Sequence, residues 1–240
     1  SFRIDAAHTA HFYLSPPCAL PIYYYVVESY VASLKCTNET PFPDYKKLGV
    51  QLGGRFEQLN ANILQIENEY YSTIRPKQIM QPFEKPIHAL KQRGVRYVEL
   101  RSLDVNAYDP LGINDRQLRF LEAFLVFCQL HESPNISAQE RKDIDHNELA
   151  TAHRGRDPHL MLHRNGKKVH LKEWAAEIVE AMAGVCELLD EGDDSKPYAE
   201  SLTVQAEKVK DPDRTPSARM LAEMRSKDEG FFHFALRMSQ

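Results

Sequence analysis

The sequence predicts an α+β protein in which an antiparallel sheet portion is followed by a C-terminal helical layer. Two stretches, residues 61–71 and 95–105, alternate apolar and polar residues with the period of two expected of half-buried strands. A Gly53-Gly54 pair lies between Val50-Gln51-Leu52 and Arg55-Phe56-Glu57, where paired glycines accept the positive φ that a tight hairpin demands. From Asn114 onward the apolar spacing becomes helical and start signals recur.

The elements follow in order. Tyr23, Val27, Tyr30 and Leu34 share one helical face, and that helix ends before the turn-forming Thr40-Pro41-Phe42-Pro43. The glycine hairpin comes next, then the strand over 61–71. A short helix over 86–93 is stopped by Gly94, a residue suited to the left-handed conformation that closes helices. The second strand covers 95–105. Asn114 with Gln117 three residues later makes a capping box, and Leu118, Leu121, Phe124, Leu125 and Cys128 form the apolar face behind it. Ser137 with Glu140 repeats the start signal. Trp174, Ile178, Ala181, Val185 and Leu188 define another helix, and Thr215-Pro216 opens a last one with proline at its first position. Residues 1–22 are left unassigned, as either a loop or a non-native stretch. Residues 23–113 are read as the helix and sheet portion, and residues 114–240 as the helical portion.

The composition excludes several classes of function. A 240-residue chain with 42% hydrophobic content can bury a sizeable core. Its net charge of -4 gives no basic footprint for nucleic acid, and no apolar run is long enough to cross a membrane. Cys18, Cys36, Cys128 and Cys186 show neither a CxxC pair nor metal-ligand spacing with histidine, which points away from zinc and from a disulfide framework. With no secretory signal recognisable, the cytoplasm is the expected compartment. The chain opens at Ser1 and reads as a segment of a longer polypeptide.

The polar sides of the two strands carry the chemistry. Alternation places Tyr97, Glu99 and Arg101 on one side and Val98 and Leu100 on the other, where they should pack against helices. In the earlier strand Glu67, Glu69 and Tyr71 oppose Leu64, Ile66 and Tyr70. Carboxylates on a sheet face suit Mg2+, a hard cation that takes oxygen ligands and bridges phosphates. Arg75-Pro76-Lys77 places two cations on a stiff turn, where they can neutralise a polyphosphate. On residue types alone, an opposite-charge pair two residues apart in a strand is usually just a surface ion pair, and Arg75-Pro76-Lys77 reads equally well as a solvated turn. Together they suggest phosphoryl transfer, without any glycine-rich Walker loop.

Three runs carry a resemblance: Asn62-Ile63-Leu64-Gln65-Ile66-Glu67-Asn68-Glu69-Tyr70-Tyr71, Ile74-Arg75-Pro76-Lys77, and Gly94-Val95-Arg96-Tyr97-Val98-Glu99-Leu100-Arg101-Ser102-Leu103-Asp104. In order and spacing they resemble the C-terminal half of the proteobacterial glutamate-cysteine ligases, and the likeness extends over about residues 24–225. It implies a glutamine-synthetase-like ligase fold whose antiparallel sheet forms the active-site wall. It also implies the first step of glutathione biosynthesis, in which ATP phosphorylates the γ-carboxylate of L-glutamate and the amine of L-cysteine then displaces phosphate. Carried over by position, Glu99 is expected to hold Mg2+, Arg101 to meet the transferred phosphate as catalytic and ATP-binding residue, and Tyr71 to contact cysteine. Glu67 as a further metal carboxylate, and Arg75 and Lys77 as ATP contacts, follow from neighbourhood and facing. Most of the family's metal carboxylates belong to an N-terminal half not seen in this sequence, so the chain alone is expected to be inactive. The alternatives are a non-catalytic binding or structural module and a ligase for another amine.

Overall fold

The computed structural model describes residues 27–133 and 135–240. The unassigned segment 1–22, with Cys18, and the Tyr23 position of the first helix lie outside the described residues. The chain forms two compact units, Ser1–Leu103 and Asp104–Gln240.

In the first unit α1 (Val27–Glu39) buries Tyr30, Val31 and Leu34 against Leu64 and against Ile87 and Leu90 of the later helix 86–93. Its last turn is closed by side chains: the Thr37 hydroxyl donates to the Leu34 carbonyl at 2.8 Å and Asn38 Nδ2 to the same carbonyl at 3.0 Å. The short α2 (Pro43–Leu48) follows. Strands β1 (Gln51–Leu52) and β2 (Arg55–Phe56) then form the expected hairpin, with Gly53 at φ 58° and Gly54 at φ 86°.

No strand runs over 61–71. That segment makes one bridge, Pro41 to Asn62, and a 3-10 turn over Glu67–Glu69. The reason is local: Asn60 Nδ2 donates to the Gln65 carbonyl, Asn60 Oδ1 accepts from Asn62 N, and Glu69 Oε2 accepts from Gln65 N. Side-chain amides and carboxylates thus take up main-chain groups that a sheet ladder would need. The strand lies further on, at β3 (Ile74–Lys77), the segment the sequence suggested as a turn. It pairs antiparallel with β4 (Tyr97–Leu100) in the register Ile74 to Leu100, Arg75 to Glu99, Pro76 to Val98 and Lys77 to Tyr97. Both strands of a two-stranded sheet are edges, where a proline such as Pro76 is tolerated. Between them α3 (Pro86–Arg93) begins on proline and ends at Gly94, φ 72°, as the sequence predicts.

The apolar side of this pair is not packed away as expected: Val98 is 43% exposed. Nor is there one continuous sheet. Among the described residues the strands form separate pairs, β1-β2, β3-β4 and a third pair in the second unit.

In the second unit α4 (Asp115–Leu130) starts with the predicted capping box. Asn114 Oδ1 accepts from Gln117 N at 3.0 Å, and Gln117 Oε1 accepts from Asn114 N at 3.3 Å. Its buried stripe is rotated from the predicted one. Ala123, with Phe120, Phe124 and Phe127, meets the core, whereas Leu118 and Cys128 are exposed. α5 (Ala138–Arg154) carries the second capping box, on Ser137 and Glu140. β5 (Met161–Arg164) and β6 (Lys167–His170) form a hairpin inside a region read as wholly helical, turning on Asn165 at φ 52° and Gly166 at φ 74°. The single helix expected through Leu188 is interrupted at the fully buried Met182, giving α6 (Leu171–Ala181) and α7 (Ala183–Leu189). α8 (Pro197–Lys210) packs Leu202 into the same core. α9 (Pro216–Ser226) opens as predicted, the Thr215 hydroxyl accepting from Ala218 N at 3.4 Å, and α10 (Phe231–Met238) ends the chain's ordered elements.

Candidate active site

Pairing of β3 with β4 gathers four of the six predicted site residues. Lys77 and Glu99 lie diagonally across the ladder, and Lys77 Nζ approaches Glu99 Oε2 to 3.2 Å. One step beyond β4, Arg101 N donates to the Thr73 carbonyl at 2.8 Å, which continues the pairing and keeps Arg101 on the Glu99 side. Its Nη2 then donates to the same Glu99 oxygen at 3.0 Å. The guanidinium also lies over Tyr71, 4.9 Å from the ring centroid, as a cation on an aromatic face. Tyr71 itself is 55% exposed, so this corner opens outward.

The electrostatics follow from the contacts. The Arg101 hydrogen bond holds the Glu99 carboxyl below its ordinary value; partial burial pushes the other way, and Lys77 adds to the lowering. Glu99 therefore carries a full negative charge near neutral pH. Both the Lys77 and the Arg101 contact fall on one oxygen of Glu99, Oε2. A hard cation bound through one carboxylate and phosphate oxygens is a common arrangement for Mg2+. No cluster of three or more potential metal ligands occurs among the described residues.

Glu67 and Arg75 are placed differently from expectation. With no strand over 61–71, Glu67 lies on the 3-10 turn and not on a strand. It is buried, and its Oε2 accepts from Ile87 N, at the start of α3, at 3.0 Å. Arg75 shares the Glu99 side of the ladder, yet it is only 3% exposed and its Nη2 and Nη1 donate to the carbonyls of Glu67 and Tyr70 at 3.1 and 3.4 Å. Both charges are engaged with main-chain groups beneath the open cluster.

A hollow of about 300 Å3 lies beside the cluster, with Asn68, Lys77 and Tyr97 on its walls and Leu34, Ile87 and Leu90 among its lining residues. Asn68 and the contribution of α1 were missed by the sequence reading. No local pattern links residue 34 to residue 97, because the hollow exists only where α1, α3 and β3-β4 converge.

Comparison with known proteins shows the family of the chain. The sequence model of the glutamate-cysteine ligase family matches residues 16–151, which include the whole Tyr71, Lys77, Glu99 and Arg101 cluster. A glutamate-cysteine ligase of Pseudomonas paraeruginosa is 46% identical over 214 residues, covering 89% of this chain and 40% of the relative. One from Alcanivorax borkumensis is 43% identical, covering 91% of this chain and 42% of that protein. The 2.0 Å crystal structure of glutamate-cysteine ligase from Francisella tularensis in complex with AMP is similar with a TM-score of 0.84 at 36% identity, over 94% of this chain and 45% of that one. The chain thus spans about two fifths of the length of the curated relatives it matches. On the family match, the identity along nearly all of its length and the shared fold, the chain belongs to the glutamate-cysteine ligase family.

Proposed function

We propose that this chain forms part of an ATP-dependent ligase that joins the γ-carboxylate of glutamate to the amine of cysteine. The observation that carries the reading is the Lys77, Glu99, Arg101 cluster beside the exposed Tyr71. In the first step a γ-carboxylate oxygen of glutamate attacks the terminal phosphorus of ATP, forming γ-glutamyl phosphate and releasing ADP. In the second the cysteine amine attacks the acyl carbon, phosphate leaves with the bonding electrons, and the amine loses a proton. Neither step needs a protein nucleophile, and both gain from positioning and charge neutralisation. Arg101, already oriented by Glu99 and Tyr71, presents its remaining donors to the transferring phosphoryl group, and Lys77 adds a second positive charge. Tyr71 contacts cysteine. Mg2+, when bound, neutralises phosphate charge, and Glu99 would supply one oxygen ligand to it. The AMP complex of the Francisella relative supports nucleotide use.

The test is direct. The complete protein, given ATP, Mg2+, glutamate and cysteine, should form γ-glutamylcysteine and phosphate in equal amounts, whereas the 240 residues alone should form none. γ-Glutamylcysteine formation by this chain alone would overturn the shared-site reading. A clear preference of the complete protein for another amine would overturn the assignment of cysteine.

A further inference from the structure

We infer that Arg75 and Glu67 are positioning residues, a bracket that holds Tyr71 beneath Arg101, and that neither touches a ligand; the inference rests on the roles given above to Tyr71 and Arg101. Residue 67 is pinned from two directions. Its carboxylate accepts from Ile87 N on α3, and its carbonyl accepts from Arg75 Nη2 on β3. Helix N-termini have amides without helical partners and favour negative charge, so a buried carboxylate is a strong anchor there. Three residues on, the turn is pinned again: Tyr70 N donates to the Glu67 carbonyl at 3.3 Å, the Tyr70 carbonyl accepts from Arg75 Nη1, and the Tyr70 ring packs on the core around Tyr30 and Leu34. Tyr71 is the first residue after this pinned turn and the one over which Arg101 lies.

Arg75 also lines the hollow beside Lys77, where a phosphate could meet it. What favours the bracket is that its Nη2 and Nη1 donate to the carbonyls of Glu67 and Tyr70, the two ends of the turn before Tyr71. A buried cation held by main-chain dipoles is tolerated while those carbonyls stay in place, which makes the charge and the turn conformation mutually dependent. Lys77, by contrast, keeps its ammonium in the open cluster.

In the complete protein, Arg75→Met should raise KM for cysteine and lower kcat by about tenfold to a hundredfold, because small misplacements of a positioning group cost that much. KM for ATP should stay within about threefold, less than the change from losing one hydrogen bond to a charged group. Glu67→Ala should behave similarly, and Glu67→Gln, whose amide oxygen still accepts from Ile87 N, should recover most of that loss. A selective rise in KM for ATP in Arg75→Met would show a phosphate contact and overturn the inference. So would Glu67→Gln failing as badly as Glu67→Ala with an altered Mg2+ requirement, the signature of a metal ligand. Hydrogen exchange on the complete protein supplies a readout independent of catalysis: Arg75→Met should speed exchange at residues 67–71 and at Ile87 while α4 and α8 stay protected. Unchanged exchange there would overturn the bracket even if the ligase reading stands. A wild-type complete protein that makes no γ-glutamylcysteine would overturn the ligase reading and leave the exchange result to decide the bracket. If Arg75→Met does not fold, the Glu67 pair makes the same distinction.

Discussion

Arg101→Lys keeps the positive charge and removes the planar fork. In the structure the guanidinium performs two tasks at once, donating through Nη2 to Glu99 at 3.0 Å and lying 4.9 Å from the Tyr71 ring centroid. A lysine ammonium can reach one of these partners but cannot fill both while offering further donors in a fixed plane. The ground-state loss should be small, because solvent screens an exposed ion pair and an exposed cation on a ring alike. Thermal stability should therefore shift only slightly. In the transition state the loss of one preorganised donor costs about 2.7–4 kcal/mol, or roughly 10²–10³ in kcat. The assay is steady-state phosphate release by the complete protein with each substrate varied in turn, alongside a melting curve. The reasoning fails if Arg101→Lys keeps kcat within about threefold of wild type, a change smaller than one lost donor should cause. It fails equally if the loss of rate merely tracks a loss of folded protein.

Tyr71→Phe leaves the ring under Arg101 and removes only the hydroxyl, so KM for cysteine should rise about three- to tenfold, the value of one hydrogen bond, with kcat and KM for ATP nearly unchanged. An effect on ATP in place of cysteine would sink the assignment of Tyr71. Glu99, whose folded pKa is depressed by Arg101 and Lys77, contributes stability that is present above its unfolded value of about 4.3 and is lost as pH falls through the lower folded value. A carboxyl NMR titration giving a midpoint at or above the unfolded value would contradict this. In the second unit the buried Asp190 accepts from Tyr198 N and Ala199 N, both at 2.9 Å, at the start of α8, where Lys196 offers no side-chain cap. Asp190→Ala should cost about 1–3 kcal/mol in denaturant unfolding, and an unchanged midpoint would show that the helix start is satisfied otherwise.

Local chemistry was legible at most element boundaries. Both capping boxes, the Gly53-Gly54 hairpin, the proline start and glycine stop of α3, and the Thr215-Pro216 start are formed by the residues that predict them. The β5-β6 hairpin was legible too, since Asn165-Gly166 is a strong turn signal, but helical spacing on either side concealed it. The segment 61–71 misled because its alternation is real while its polar residues bond their own loop; competition of that kind depends on rotamers, not on residue order.

Sequence by itself determined which residues belong to the open cluster on β4 and its flank, since strand alternation is enough to put Glu99 and Arg101 on one side, and the ordered runs from Asn62 to Asp104 carry the family. Tertiary structure alone decided how the other charges are used. Nothing in Glu67 or Arg75 as letters distinguishes a ligand-binding charge from a buried brace; the difference arises when α3 delivers the Ile87 amide to Glu67 and β3 delivers Arg75 to two carbonyls. The rotation of the α4 stripe has the same origin. A helix with apolar residues on most of its circumference offers several faces, and contact with Met182, Val185 and Leu202 selects the one that is buried.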